Sequence, residues 1–355
     1  VGLGVPDRVG SPGEGDAGAH GPGVDPGVRP FHVDAEAFWA SARAELLERE
    51  VGPDRPEELT AWEAGVLIRE GALTPEALVE RCLGRIQALD PLFQAFNTVV
   101  AEEARAQARA PGEGLLAGIP VAIKDNVHTR GIRTTANAHM FQDFIPEEDA
   151  TLVARLKAAG GVVVGKTQMG PLATTRALTP DGEVTTLSAW APDDARVSPG
   201  GSSSGSATAV AARMVTTSMG TQTGGSITVP ASSQGLTGLK PTLGRISLRG
   251  VIPLTYTRDH PGPISRDARD AALLLQVMAG PDPLDPRTLG LPEVPDYLVA
   301  ATPVGSGSRA RVRWPTRLGV LPGWAEGNAP GAARRRAFLE AMAEGGWSWF
   351  RWTSL

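Results

Sequence analysis

Three segments, GIPVAIKDN, SPGGSSSGSA and GTQTGGSI, bring together the side chains with which this chain can do chemistry. Lys124 follows a short apolar run. A glycine-flanked serine cluster opens at Ser202, 78 residues later, and a second glycine-flanked serine, Ser226, stands 24 residues beyond that. Serine is a weak nucleophile until a base takes its proton. The five histidines, His20, His32, His128, His139 and His260, lie in no motif that pairs one with a serine. Lysine can be the base if its pKa falls from about 10.4 toward neutrality, at a cost of roughly 4 kcal/mol. Burial beside hydroxyls can supply that change; Ile123 and the run before it give the burial, and the serines of GGSSSGS give the hydroxyls. Successive N–H groups of Thr223, Gly224, Gly225 and Ser226 form a nest suited to a developing oxyanion. Gly200, Gly201, Gly205, Gly224 and Gly225 are expected to allow backbone angles closed to other residues and close approach of a substrate. The pattern is that of an enzyme with a serine nucleophile and no histidine.

The elements that must position these residues alternate between helix and short strand. Helical periodicity covers 34–50 and 57–70, the second opened by Pro56 and Glu57-Glu58. A third helix starts at the cap-like Thr74 before Pro75 and runs to about Leu89. Residues 120–123 read as a buried strand that delivers Lys124. The stretch 149–159 is an amphipathic helix stopped by Gly160-Gly161, and Val162 to Val164 is a β-branched strand. Residues 206–215 read as helix, 214–220 as strand, and 267–279 as a helix ended by Gly280-Pro281. This alternation predicts an α/β protein, a sheet layered between helices.

The 355 residues are enough to bury a large core. Hydrophobic residues at 41% and charged residues at 21% are ordinary for a globular protein, and a net charge of -5 with no basic stripe argues against a polyanion partner, so no nucleic acid is expected. Arg334-Arg335-Arg336 reads as a solvated helix face. Cys82 is the only cysteine, so no internal disulfide or cysteine-rich zinc site is expected; in LVERCLGRIQAL it reads as a structural thiol. No apolar run reaches the ~20 residues that span a bilayer, and no secretory signal is legible, so the expectation is a cytoplasmic protein without membrane contact. Residues 1–30, rich in Gly, Pro and Asp, are expected to be disordered, with a single domain over 31–355.

GIPVAIKDN, SPGGSSSGSA, GTQTGGSI and GLKPTLGRIS-x-x-GVIPL resemble, in order, successive blocks of the amidase signature family, the Ser-cisSer-Lys amide hydrolases, over a core of about 57–290. The resemblance implies an α/β/α sandwich around a mixed central β-sheet. It implies Lys124 as base, Ser202 as the bridging serine with a cis peptide bond, and Ser226 as nucleophile. Thr223 to Ser226 then form the oxyanion hole, with Gly201 and Ser203 in support. The implied activity is hydrolysis of a small-molecule amide through an acyl-enzyme, with no cofactor and no metal. A second copy of the chain is the one macromolecular partner entertained for the hydrolase. The alternatives are an amidotransferase subunit that feeds ammonia to a partner and a non-catalytic remnant.

Two other motifs compete. GGVVVGKT, residues 160–167, fits the phosphate-loop pattern, but a helix precedes it and its valines are themselves the strand. Gly201 to Gly205 satisfies G-x-S-x-G around Ser203, which would require His260 as partner. No S-x-x-K occurs. The chain departs from the family pattern at Gln222, often aspartate there, and at Thr228, often arginine, which points to a neutral or apolar acyl pocket. GPLATT after GKTQM lacks the usual acidic residue. Family members usually continue for a hundred residues or more past the strand near 317–321 and its following helix. The ending GGWSWFRWTSL is therefore expected to leave the C-terminal part incomplete, with exposed aromatics that favour aggregation.

Overall fold

The computed structural model describes residues 35–49, 52–179, 182–305, 311, 316–320, 323–327 and 331–351. The expected disorder of residues 1–30 and the last tryptophan, Trp352, lie outside them.

Helix α1 spans Ala35–Glu48, α2 Ala61–Arg69 and α3 Pro75–Phe93. Then come β1 (Phe96–Val99), α4 (Ala101–Arg109), β2 (Pro120–Lys124), α5 (Thr151–Ala158) and β3 (Val162–Thr167). The serine-rich half supplies α6 (Ser204–Ala211), β4 (Thr217–Gln222), α7 (Thr228–Ser233), β5 (Thr237–Gly238), β6 (His260–Ser265), α8 (Ala268–Met278) and α9 (Tyr297–Ala301). The chain continues with β7 (Thr316–Val320), α10 (Ala332–Glu344) and β8 (Trp347–Arg351).

The six-stranded sheet has the order β1-β3-β2-β4-β6-β5. Its centre, β3-β2-β4, is parallel, and the outer pairings are antiparallel. Mixed pairing with helices on both faces makes this the expected α/β/α sandwich. The central strands are buried on both sides, so their side chains divide between two cores at the strand period of two. Val121, Ile123, Val163 and Met219 pack with α1, α2, α5 and α8. Ala122, Val162 and Val164 pack toward α3, α4 and α6. Lys124 follows Ile123 and so shares the face of Ala122, the face covered by α6.

Several elements differ from the sequence expectation. The stretch 57–70 is not one helix: a 3-10 turn covers Pro56–Glu58, and α2 begins after Thr60, whose hydroxyl accepts Glu63 N–H while Glu63 caps Thr60 in return. That reciprocal capping box outweighs the proline start signal. β1, α4, α7, β5 and β6 are absent from the sequence expectation, although α4 carries acidic residues in its first turn and Arg109 in its last. β6 reads HPGPIS, and prolines argue against an inner strand. Backbone N–H and C=O of one residue point to the same side of a strand, and Leu239 N–H reaches Pro263 O at 3.1 Å on the β5 side. The missing N–H groups of Pro261 and Pro263 thus face the two-residue β5, while Gly262 and Ile264 pair with β4. At the end of the described residues β8 pairs in parallel with β7, with Trp349 opposite Leu318 and Phe350 opposite Gly319 in the backbone register.

Candidate active site

The three parallel strands end together, with Lys124 at the end of β2, Thr167 at the end of β3 and Gln222 at the end of β4. In open α/β sheets the space beyond such carboxyl ends is the usual place for ligands. The first serine loop enters this space from 199–203 and becomes α6, a helix buried from Ser204 to Val210. Small residues let it lie close on the sheet. A Cβ at Gly205 would stand 2.2 Å from Ala95 O and 2.6 Å from Gln168 N. Its hydroxyls are bonded inward: Ser204 Oγ donates to Gly200 O at 2.7 Å, and Ser206 Oγ lies 2.6 Å from Thr167 Oγ1.

Lys124 is fully buried, and its Nζ donates to Ser202 Oγ at 2.8 Å, Thr221 Oγ1 at 2.9 Å and Thr221 O at 3.2 Å. Burial pushes its ammonium down to about 7, against an upward pull from the carboxylate of Asp259. The Gly201–Ser202 peptide bond is cis, and Gly170 N–H holds the Ser202 carbonyl at 3.0 Å. The backbone N–H of Ser203 donates to the carbonyl of Ser226 at 3.3 Å, which sews the two serine loops together. The half-buried Ser226 hydroxyl makes no hydrogen bond to another described residue. Likewise, among the described residues, the N–H groups of Thr223, Gly224, Gly225 and Ser226 donate to no protein acceptor.

The glycines divide differently from expectation. Gly200 has φ +80, which only glycine adopts without strain, and Gly201 lies where a Cβ would press within 2.6 Å of Arg176 Cα. Gly224 and Gly225 have no positive φ, and a Cβ on Gly224 would meet open space. The donor loop is therefore shaped by its partners rather than by forbidden backbone angles.

Gln222 is one of those partners. It is buried, and its side-chain carbonyl accepts the N–H groups of Ile227 and Thr228 at 2.8 and 2.9 Å. It thus holds the loop that carries Ser226, while Thr228 is exposed. The neutral residue at 222 serves loop geometry, which is a different role from lining an acyl pocket.

Three contributors escaped the sequence. Thr221 bridges Lys124 and Asn126, whose Nδ2 donates to Thr221 Oγ1 at 3.2 Å. Asp259 accepts from Thr223 Oγ1. Lys166, inside the rejected phosphate-loop pattern, is a fully buried strand residue that pairs with Asp125 at 3.4 Å. Polar residues within strands that must be buried were the available signal, since each needs a partner. Ser203 sits inside, its Oγ donating to Thr221 O at 3.3 Å. His260 bonds Arg258 O and Lys240 instead. Cys82 is buried and its thiol is pushed up to about 12, as suits a structural residue. Among the described residues no helix is long and apolar enough to cross a membrane, and no cluster of histidine, cysteine and carboxylates is placed to hold a metal ion.

A mixed α/β sandwich with a buried lysine bonded to a cis-linked serine defines the class, that of the amidase signature enzymes. The amidase family model matches residues 77–342, and the chain belongs to that family. A glutamyl-tRNA(Gln) amidotransferase subunit from Synechococcus sp. (strain WH7803) is 46% identical over 241 residues, 66% of this chain and 49% of that protein. The subunit of the same name from Thermus thermophilus is 40% identical over 286 residues, 80% of this chain and 57% of its own length. The chain spans about half the length of the curated relatives it matches. Among solved structures, the native peptide amidase of Stenotrophomonas maltophilia superposes with a TM-score of 0.72 at 32% identity, covering 83% of this chain and 62% of its own. An amidase family protein from Bacillus anthracis str. Ames gives a TM-score of 0.71 at 28% identity, covering 91% and 64%.

Proposed function

We propose that this chain hydrolyses an amide bond of a small molecule, with Ser226 as nucleophile, Ser202 as proton relay and Lys124 as base. The observation that carries this is the 2.8 Å bond from a fully buried Lys124 to Ser202, with the ammonium held down to about 7. Near neutral pH such a lysine is free to take a proton. Lys124 draws a proton from Ser202, Ser202 draws one from Ser226, and Ser226 Oγ attacks the amide carbon. The unspent N–H groups of the 223–226 loop receive the oxyanion. The proton returns through Ser202 to the departing amine, and water then releases the acid from the acyl-enzyme.

A fluorophosphonate probe followed by peptide mass spectrometry tests this. A stoichiometric adduct on Ser226 that disappears in Lys124→Ala is expected. Folded protein without an adduct on Ser226 would overturn it.

The relatives named as amidotransferase subunits favour a second role, release of ammonia from glutamine for a partner chain. Glutaminase activity that appears only when a partner chain is added would establish that role, and ammonia from simple amides without a partner would dismiss it.

A further inference from the structure

We propose that Asp259 is a positioning residue for this reaction: at the end of the β4–β6 ladder its carboxylate anchors the donor loop at Thr223. The inference deepens the function proposed above and rests on it.

The geometry begins with register. β4 and β6 pair antiparallel, with Gln222 opposite His260 at the end of the ladder. The next rung would place Thr223 opposite Asp259, and there the backbone pairing gives way to a side-chain bond. Thr223 Oγ1 donates to Asp259 Oδ1. The other carboxylate oxygen accepts Leu254 N–H at 2.8 Å and Thr255 N–H at 3.0 Å. Asp259 is only 4% exposed, so this carboxylate has exchanged water for three protein donors. It closes the turn from Thr255 to Asp259 and fixes the first residue of the loop whose N–H groups are unspent. Loop placement matters because an oxyanion donor must stand about 2.7–3.1 Å from where the oxyanion will form.

The same charge acts on Lys124. Burial lowers the lysine, and among the described residues Asp259 is the charged group that pulls it back up. His260, which follows Asp259, has its ring 3.2 Å from Lys240 and faces away toward Arg258 O. Arg287, bonded to Asp285 and to Tyr256 O, borders the same turn. The Lys166–Asp125 pair lies on the opposite face of the sheet from Lys124. An acid at 259 thus holds the donor loop together, and its charge opposes the fall that burial imposes on Lys124.

Three variants separate these effects. Asp259→Asn keeps the shape: its amide oxygen can accept the two backbone N–H groups and its NH2 can donate to the Thr223 hydroxyl. Asp259→Ala loses bonds and charge together. Thr223→Val loses the loop bond and keeps the charge. The probe-labelling rate of Ser226 is measured against pH for each, and the ionisation of Lys124 is followed by NMR of ¹³Cε-labelled lysine, assigned with Lys124→Met. For Asp259→Asn the acid limb and the Lys124 midpoint should both move to lower pH. For Thr223→Val the limb should stay in place while the plateau drops about tenfold to a hundredfold, less than the ~10²–10³ that outright loss of an oxyanion donor costs. Asp259→Ala should show both changes. A wild-type plateau in both Asp259→Ala and Thr223→Val would overturn the inference. Should the parent protein leave Ser226 unlabelled, the proposed reaction falls. The NMR midpoint still decides what Asp259 does to Lys124.

Discussion

Lys124 and Lys166 occupy adjacent parallel strands and are both fully buried, yet they face opposite sides of the sheet. Residue 123 pairs with Lys166 and Lys124 with Thr167, so the alternation of the strand sends one amine toward α6 and the serines and the other toward Asp125, Thr134 and Val127 O. The two amines therefore do different things. Lys166 has a carboxylate partner at 3.4 Å, whereas the hydrogen-bond partners of Lys124 among the described residues are hydroxyls and a carbonyl.

The burial of Lys124 makes stability depend on pH. Its ordinary value of 10.5 is lowered to about 7 in the folded protein. Between those values the unfolded chain carries a proton that the native state lacks, so native stability rises with pH across this window. Below about pH 7 both states are protonated and the folded protein bears the whole penalty, about 5 kcal/mol at ~1.4 kcal/mol per pH unit. Lys124→Met should therefore be more stable than the parent near pH 7, with the advantage shrinking toward pH 10, in urea titrations at several pH values.

Lys166 should behave in the opposite sense. Burial lowers it to about 8, and Asp125 opposes that fall. Asp125 also accepts from Asn97 Nδ2 at 2.8 Å and Thr135 N at 3.0 Å. Removing one member of a buried pair leaves the other uncompensated, at about 3–5 kcal/mol. Lys166→Met is expected to lose that much in urea unfolding. Combining it with Asp125→Asn should cost less than the sum of the single changes, since the two share one interaction.

Thr221 holds Lys124 through both its hydroxyl and its carbonyl. Thr221→Val keeps the shape and the carbonyl contact but removes the hydroxyl that Lys124 and Asn126 share. Loss of one hydrogen bond of about 1 kcal/mol should lower the Ser226 labelling rate about fivefold to tenfold, with the melting temperature little changed. Labelling time courses alongside thermal melts check this.

Gly205 and Gly224 should respond oppositely to alanine. At Gly205 the new methyl would meet Ala95 O at 2.2 Å, a backbone atom that cannot swing away. Overpacking of this kind costs about 1–3 kcal/mol or more. Gly224→Ala meets open space and should melt within about 1 °C of the parent. A calorimetric scan of both variants is sufficient.

The helices with their own start signals were legible in the sequence. Thr74-Pro75 and Asp267 mark α3 and α8, and in the structure Thr74 and Asp267 cap them through bonds to Ala77 N and Asp270 N. Val162 to Val164 marked β3 by β-branching. β6 was invisible because prolines read locally as strand breakers. Only the position beside a two-residue edge strand, which asks little of their missing N–H groups, makes them acceptable there.

Much of the candidate site could also be named from the sequence, because Lys124, Ser202 and Ser226 sit in short glycine-framed segments whose chemistry is local. Their neighbours could not. Asp259 meets Thr223 across 36 residues and Asn126 meets Thr221 across 95, pairings set by strand register. Sequence determined which side chains are proposed as nucleophile, relay and base. The tertiary structure decided how deeply Lys124 is buried and which hydroxyls surround its amine. Burial and field are sums over everything packed around a group, and no local stretch of chain contains them.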